Sequence, residues 1–309
     1  MIRDFLKLKN KSVIIGYTSA ILASALFGSV PTFAKPILSN VNILLLSCMA
    51  YLIASLTFTP MAQRTNTSFK KKEYLILLAV AVCGASLAPY LYFVGLSQTT
   101  ASNTSLLSNA EIVFTVLLAL LFFKEKLKPI GFVAVGLVLF GVVIITTNFQ
   151  VSSSLFQINT GHLLILGATA LWALDNNLSR IISTRIDTAR LVQLKSAIGG
   201  AILLGIILLL HIPFSVNPVQ IPYIVILSAL GFGGSLYFFL QSLKRIGTIK
   251  TIVIFSMSSV FGLVFASIFL REQISAFQII AIVIMLTGIY LINRKESMKE
   301  KPEPHSFGF

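Results

Sequence analysis

Three ionisable side chains lie where the surrounding sequence is apolar. Of the ten acidic residues in the chain, eight fall in loops, turns or tails, and two, Glu111 and Asp175, fall inside long apolar runs. Among the basic residues, Lys195 is the one well inside such a run. A charge there is costly unless it is paired or faces a watered cavity, so each is a candidate for function. Asp175 and Lys195 stand in consecutive runs at matched depth, which predicts an ion pair. The pair serves either as a clamp between two helices or as a contact for substrate. Asn176 and Asn177 add buried polar groups that need partners, and Trp172 is one helical turn away. Its indole either lines a cavity or packs.

Glu111 lies seven residues from the end of its run, about 10 Å deep at ~1.5 Å per residue. Thr104, Ser108, Glu111 and Thr115 are spaced 4, 3 and 4, which puts them on one face of a helix. The carboxyl is then either a site for a proton or a substrate ammonium, or a structural group bonded to a neighbouring helix. Tyr90, Tyr237 and Gln241 occupy central parts of two further runs. The two tyrosines are expected to line a cavity; Tyr92 is expected to pack. His162, His211 and His305 show no ligand spacing, and no phosphate-binding glycine loop occurs, so neither a metal, a cofactor nor ATP is expected. Cys48 and Cys83 read as small apolar residues.

The elements that must hold these residues follow from composition. The chain has 309 residues, 56% hydrophobic and 11% charged, where a soluble domain carries about 25% charged. Its mean hydropathy is +0.91. The charges cluster between continuous apolar runs of bilayer-crossing length, which excludes a β-barrel and predicts an all-α membrane protein. Ten spans are expected: 13–34, 41–61, 74–97, 104–123, 129–147, 161–182, 189–211, 221–243, 248–270 and 275–293. Of the 24 Lys and Arg, 21 fall on alternate loops and the termini, while the other loops hold Lys35 and Arg271. The positive-inside rule therefore makes the N-terminus 1–12 and the tail 294–309 cytoplasmic, and the net charge of +14 calls for no nucleic acid.

The chain also repeats itself. Residues 104–141 slide onto 251–288 at an offset of 147 without a gap, and over 90–141 there are 11 identities in 52 positions, among them Tyr90/Tyr237, Glu125/Glu272 and Gly141/Gly288. The first span matches the sixth at an offset of 145, with Gly16 on Gly161, Phe27 on Trp172 and Lys35 on Arg180. Each half, 13–147 and 161–293, is thus a five-helix unit, joined by an external linker 148–160. An odd number of spans per half makes the second insert upside down, as an inverted-topology repeat.

These stretches resemble the EamA-type branch of the drug/metabolite transporter superfamily. The resemblance is carried by Ala25-Leu26-Phe27-Gly28 and its echo Ala170-Leu171-Trp172-Ala173. It is also carried by Leu107 to Thr115 with Glu125 beyond, and by Trp172 to Arg180. Where the family often has proline this chain has Ile112. The resemblance implies ten helices around a central cavity, alternating access, and small metabolites, often amino acids, as cargo. The expected function is a secondary active transporter of a small polar metabolite across the cytoplasmic membrane, as an exporter, with protons as coupling ion and lipid around it. Small multidrug-resistance relatives carry a proton-binding glutamate in the first span; this chain has none there. The alternative is a lipid scramblase or a structural membrane protein. An intramembrane enzyme would need a nucleophile with a base, a metal cluster or paired aspartates.

Overall fold

The structure, a computed structural model, describes residues 2–62, 71–123, 128–147, 159–183 and 186–293. The turn Lys124-Glu125-Lys126, most of the linker and the tail 294–309 lie outside the described residues. Every element among the described residues is helical: α1 Ile2–Ile37, α2 Ile43–Phe58, α3 Lys71–Val82, α4 Ala88–Ser97, α5 Ala101–Leu107, α6 Ala110–Phe123, α7 Pro129–Thr147, α8 Thr160–Ser183, α9 Thr188–Leu209, α10 Ile221–Ile226, α11 Ser235–Ile246, α12 Thr248–Phe255, α13 Ser258–Leu270 and α14 Ala276–Asn293.

Each expected span coincides with a helical stretch, but they are not equally fit to cross a bilayer. Five stretches are long and apolar enough: Ser12–Ile37, Lys71–Ser97, Thr188–Leu209, Pro218–Ile246 and Lys250–Leu270. Three apolar helices, Ile43–Phe58, Pro129–Ile145 and Ala276–Leu291, are shorter. Helix α8 has 24 residues but spends four of them on Asp175, Asn176, Asn177 and Arg180. The expected continuous helix over 104–123 is instead broken: α5 ends at Leu107 and α6 begins at Ala110. No proline causes this. At the break the ladder tightens to three residues, with the N–H groups of Asn109, Glu111 and Ile112 donating to Leu106 O, Ser108 O and Asn109 O at 3.1 Å each, and the hydroxyls of Thr104, Ser105 and Ser108 donate to the carbonyl four residues back at 2.9, 2.9 and 2.8 Å. Ser256 and Met257 break the echo between α12 and α13 in the same way, with the N–H groups of Met257 and Ser259 donating to Ile254 O at 3.0 Å and Ser256 O at 3.1 Å.

A second irregularity is also doubled. A π-turn, Cys83–Leu87, joins α3 to α4, and a longer one, Leu227–Gly234, joins α10 to α11. Offset by 147, the first falls within the second.

The packing repeats across the halves. Helix α1 packs on α11 and α13, and α8 packs on α4 and α6, their counterparts. The remaining equivalents pair with each other, α2 with α9 and α7 with α14. Both pairs run antiparallel. In α7 and α14, a Cβ on Gly141 would meet Met285 and the Ala281 carbonyl, while one on Gly288 would meet Val138 and the Ala134 carbonyl. Those contacts map onto one another at the offset of 147. In α2 and α9, Cys48 Sγ approaches Gly200 O at 3.4 Å and Ser55 Oγ donates to Gln193 O at 3.0 Å. One end of the bundle is tied by charge. Lys35 Nζ donates to Leu96 O at 2.7 Å, and Glu272 accepts from the N–H groups of Ala101 and Ser102 at 2.9 Å each.

Candidate functional site

Helix α8 sets the site by its spacing. Trp172, Asp175, Asn176 and Ser179 stand at i, i+3, i+4 and i+7, one helical face. That face meets α6, α9 and the π-turn, and all four side chains are buried. Lys195, on α9, is 1% exposed and donates to Asp175 Oδ2 at 2.5 Å. Ser179 Oγ donates to Asp175 Oδ1 at 2.9 Å. The expected ion pair is therefore formed, and both carboxylate oxygens are bonded, as a buried charge requires. Glu111, on α6, accepts from Asn176 Nδ2 at 2.5 Å, so its hydrogen-bond partner is a neutral amide.

These groups open on a small cleft lined by Phe27, Tyr51, Glu111, Trp172, Asp175, Asn176, Lys195, Phe232, Ser235, Leu236, Phe239 and Phe255. Half of the lining residues are aromatic, and their rings form a continuous set. Phe27 meets Trp172 edge-on at 5.4 Å and Phe255 at 5.3 Å. Tyr51 and Phe232 lie 5.5 Å apart, and Phe239 and Phe255 5.0 Å. Rings in such edge-on or tilted contact hold a rigid wall, and their faces attract cations.

Five of the residues singled out in the sequence thus meet at the cleft: Glu111, Trp172, Asp175, Asn176 and Lys195. Two more stand behind its wall. Asn177 Nδ2 donates to Ala173 O at 2.9 Å and to Thr115 O at 3.3 Å. Asn177 Oδ1 and Thr115 Oγ1 are buried without a hydrogen-bond partner among the described residues. Ser108 sits in the break between α5 and α6, bonded to Thr104 O.

Tyr90, Tyr237 and Gln241 lie outside the cleft. Tyr237 stacks on Phe58 at 5.2 Å and accepts from Gln241 Nε2 at 3.1 Å, and Gln241 also takes a bond from Arg245. Two residues along a helix is a rotation of about 200°, so the inward pair is the next one, Tyr92 and Phe239. Tyr92 is fully buried, 5.0 Å from Trp172, and Phe239 is in the cleft wall. The sequence reading also missed Phe27, Tyr51, Phe232, Ser235, Leu236 and Phe255. For Phe27 a signal existed: it matches Trp172 in the repeat, and the two rings touch.

Known proteins resemble this chain along most of its length. The family model for EamA-like transporters matches twice, over residues 14–147 and 159–294. An uncharacterized transporter of Methanothermobacter thermautotrophicus is 33% identical over 293 residues, covering 90% of this chain and 85% of the relative. The uncharacterized transporter YyaM of Bacillus subtilis is 23% identical over 244 residues, covering 78% of this chain and 79% of that one. A solved structure at 15% identity superposes with a TM-score of 0.64 over 91% of this chain and 97% of its own, a likeness of fold. The chain is a multi-pass membrane protein that belongs to the EamA-like transporter family.

Proposed function

We propose that the chain carries a small polar metabolite, an amino acid or similar, across the cytoplasmic membrane by alternating access, in the outward direction, with the ring-lined cleft as its binding site. The observation that carries this reading is the buried carboxyl of Glu111. The Asp175–Lys195 charges satisfy each other, whereas Glu111 is held by a neutral amide beside aromatic faces. A carboxyl so placed takes either a proton or the ammonium of a substrate, and exchange of one for the other couples the two fluxes.

Ten spans in two inverted five-helix units, with both termini cytoplasmic, form the frame of this reading. Its supports are the antiparallel pairing of equivalent helices, the doubled π-turns and the doubled helix breaks. Two related units that pack about a central cleft can rock against each other and expose it to either side in turn.

The test is counterflow. Proteoliposomes of the purified chain, loaded with single amino acids, are assayed for uptake of the ¹⁴C-labelled form of each. Accumulation of at least one above empty liposomes is the result expected. No accumulation of any of them, with intact and correctly folded protein, would reject the amino-acid reading.

A further inference from the structure

Three wall residues of the cleft converge on one glycine. Gly84 lies in the π-turn, where the Ala88 N–H reaches back five residues to Cys83 O. In that register the next carbonyl, that of Gly84, would take its bond from residue 89. Residue 89 is Pro89, which has no N–H to give. A buried carbonyl cannot be left bare without cost, and two side chains supply the missing donors. Tyr51 Oη, from α2, donates to Gly84 O at 2.9 Å. Trp172 Nε1, from α8, donates to the same oxygen at 3.1 Å. Both rings line the cleft.

The other side of the residue is equally committed. A Cβ on Gly84 would stand 2.0 Å from Asp175 Oδ2, 2.4 Å from its Cγ and 2.8 Å from its Cβ. The same Oδ2 receives Lys195 Nζ. The carboxylate therefore reaches Lys195 through space that only a glycine leaves open. The equivalent residue in the second π-turn, Gly231, faces Val30, and Leu236 stands where Pro89 does.

We infer that Gly84 is the positioning residue of the cleft. Its carbonyl, released by the π-turn and Pro89, fixes the orientation in which Tyr51 and Trp172 meet the substrate. Its bare Cα is the slot that seats the Asp175 carboxylate against Lys195. This deepens the transport reading and rests on it for its functional meaning. Its structural half can be tested apart from transport, because Trp172 is the chain's one tryptophan.

The experiment uses the full chain, with ¹⁵N-labelled indole, in nanodiscs of phosphatidylethanolamine and phosphatidylglycerol. The single indole N–H signal is followed for hydrogen exchange in the wild type, Gly84→Ala, Pro89→Ala and the control Gly136→Ala, whose added methyl would meet nothing within 4 Å. Pro89→Ala places a competing N–H beside the carbonyl and keeps the test alive if Gly84→Ala fails to fold. The inference expects slow exchange in the wild type and in Gly136→Ala. Faster exchange, about fivefold for a hydrogen bond worth ~1 kcal/mol, is expected in Pro89→Ala and Gly84→Ala. Equal exchange in wild type and Pro89→Ala would overturn it.

Uptake of a ¹⁴C amino-acid mixture into proteoliposomes is the second arm. Pro89→Ala should raise the half-saturating concentration severalfold with a near wild-type maximal rate, a split that a loss of folded protein does not produce. An unchanged half-saturating concentration would overturn the role in transport. If the wild type moves none of the mixture, the transport reading fails, and the indole arm alone still decides whether Gly84 holds Trp172.

Discussion

The molecule contains the same joint twice, with different chemistry. In one copy α8 crosses the first π-turn, and Asp175 lies against Gly84. In the other α1 crosses the second π-turn, and Val30 lies against Gly231. Val30 and Asp175 correspond at the offset of 145, Gly84 and Gly231 at 147. Glycine is kept in both because both helix crossings are close. The acid is present in one. Around it the first copy gathers Lys195, Ser179, Glu111 and Asn176, whereas the second offers Phe232, Phe239 and Phe255 to the same cleft. Symmetry thus builds the joint twice, and departure from symmetry places the buried charges at one of the two copies.

The largest effect is expected from breaking the polar joint by half. Asp175→Asn leaves the Lys195 ammonium buried without a counter-charge, a change that typically costs about 3–5 kcal/mol. A thermal melt in detergent should show it. Asp175→Val with Lys195→Met makes this joint resemble the Val30 copy. The double variant should recover most of the melting temperature while uptake stays lost. Additive losses in the double variant would mean that the two side chains do not stabilise each other.

Glycine substitutions sharpen the comparison with smaller effects. Gly84→Ala drives a methyl into a carboxylate held on both oxygens, whereas Gly231→Ala meets the Val30 Cγ2 methyl at 2.9 Å. Overpacking of this kind costs about 1–3 kcal/mol, and Gly84→Ala should stand at the upper end and Gly231→Ala at the lower. At the α7–α14 crossing the symmetric pair should also split. A Cβ at 288 would meet the Ala134 carbonyl, which is backbone, at 2.7 Å, and one at 141 would meet the flexible Met285 side chain at 2.4 Å. Gly288→Ala should therefore lower the melting temperature more than Gly141→Ala. The smallest change is Gly136→Ala, expected to be neutral or slightly stabilising, by at most ~1 kcal/mol of helix propensity.

What could be read in the sequence follows the same division. The repeat was legible because one offset brings the turn residues Glu125 and Glu272 together as well as Gly141 and Gly288, matches that a shared apolar composition does not supply. The Asp175–Lys195 pair was legible because two opposite charges at equal depth have few other options in hydrocarbon. The faces of the helices were not. A membrane helix is apolar all round, so periodicity does not tell the cleft side from the lipid side. Tyr90 and Tyr237 attracted notice by identity, while the inward residues, Tyr92 and Phe239, are the non-identical pair beside them. The π-turns were hidden for a related reason. A π-turn inserts a residue without altering composition, and Pro89 showed where a ladder bond was missing but not which side chains would replace it. The break at Ser108-Asn109 lies within the polar stripe Thr104, Ser108, Glu111 and Thr115, whose helical spacing by itself predicts an unbroken helix.

The central claim, that the working group lies on the polar wall, is tested most directly by comparing two variants at corresponding positions. Glu111 falls on Ser258 at the offset of 147. Uptake of the ¹⁴C amino-acid mixture into proteoliposomes is measured from pH 5.5 to 8.5 for the wild type, Glu111→Gln and Ser258→Ala. Glu111→Gln should fold normally and either lose uptake or lose its dependence on pH, while Ser258→Ala keeps both. Glu111→Gln with wild-type uptake and the wild-type pH profile would contradict the account.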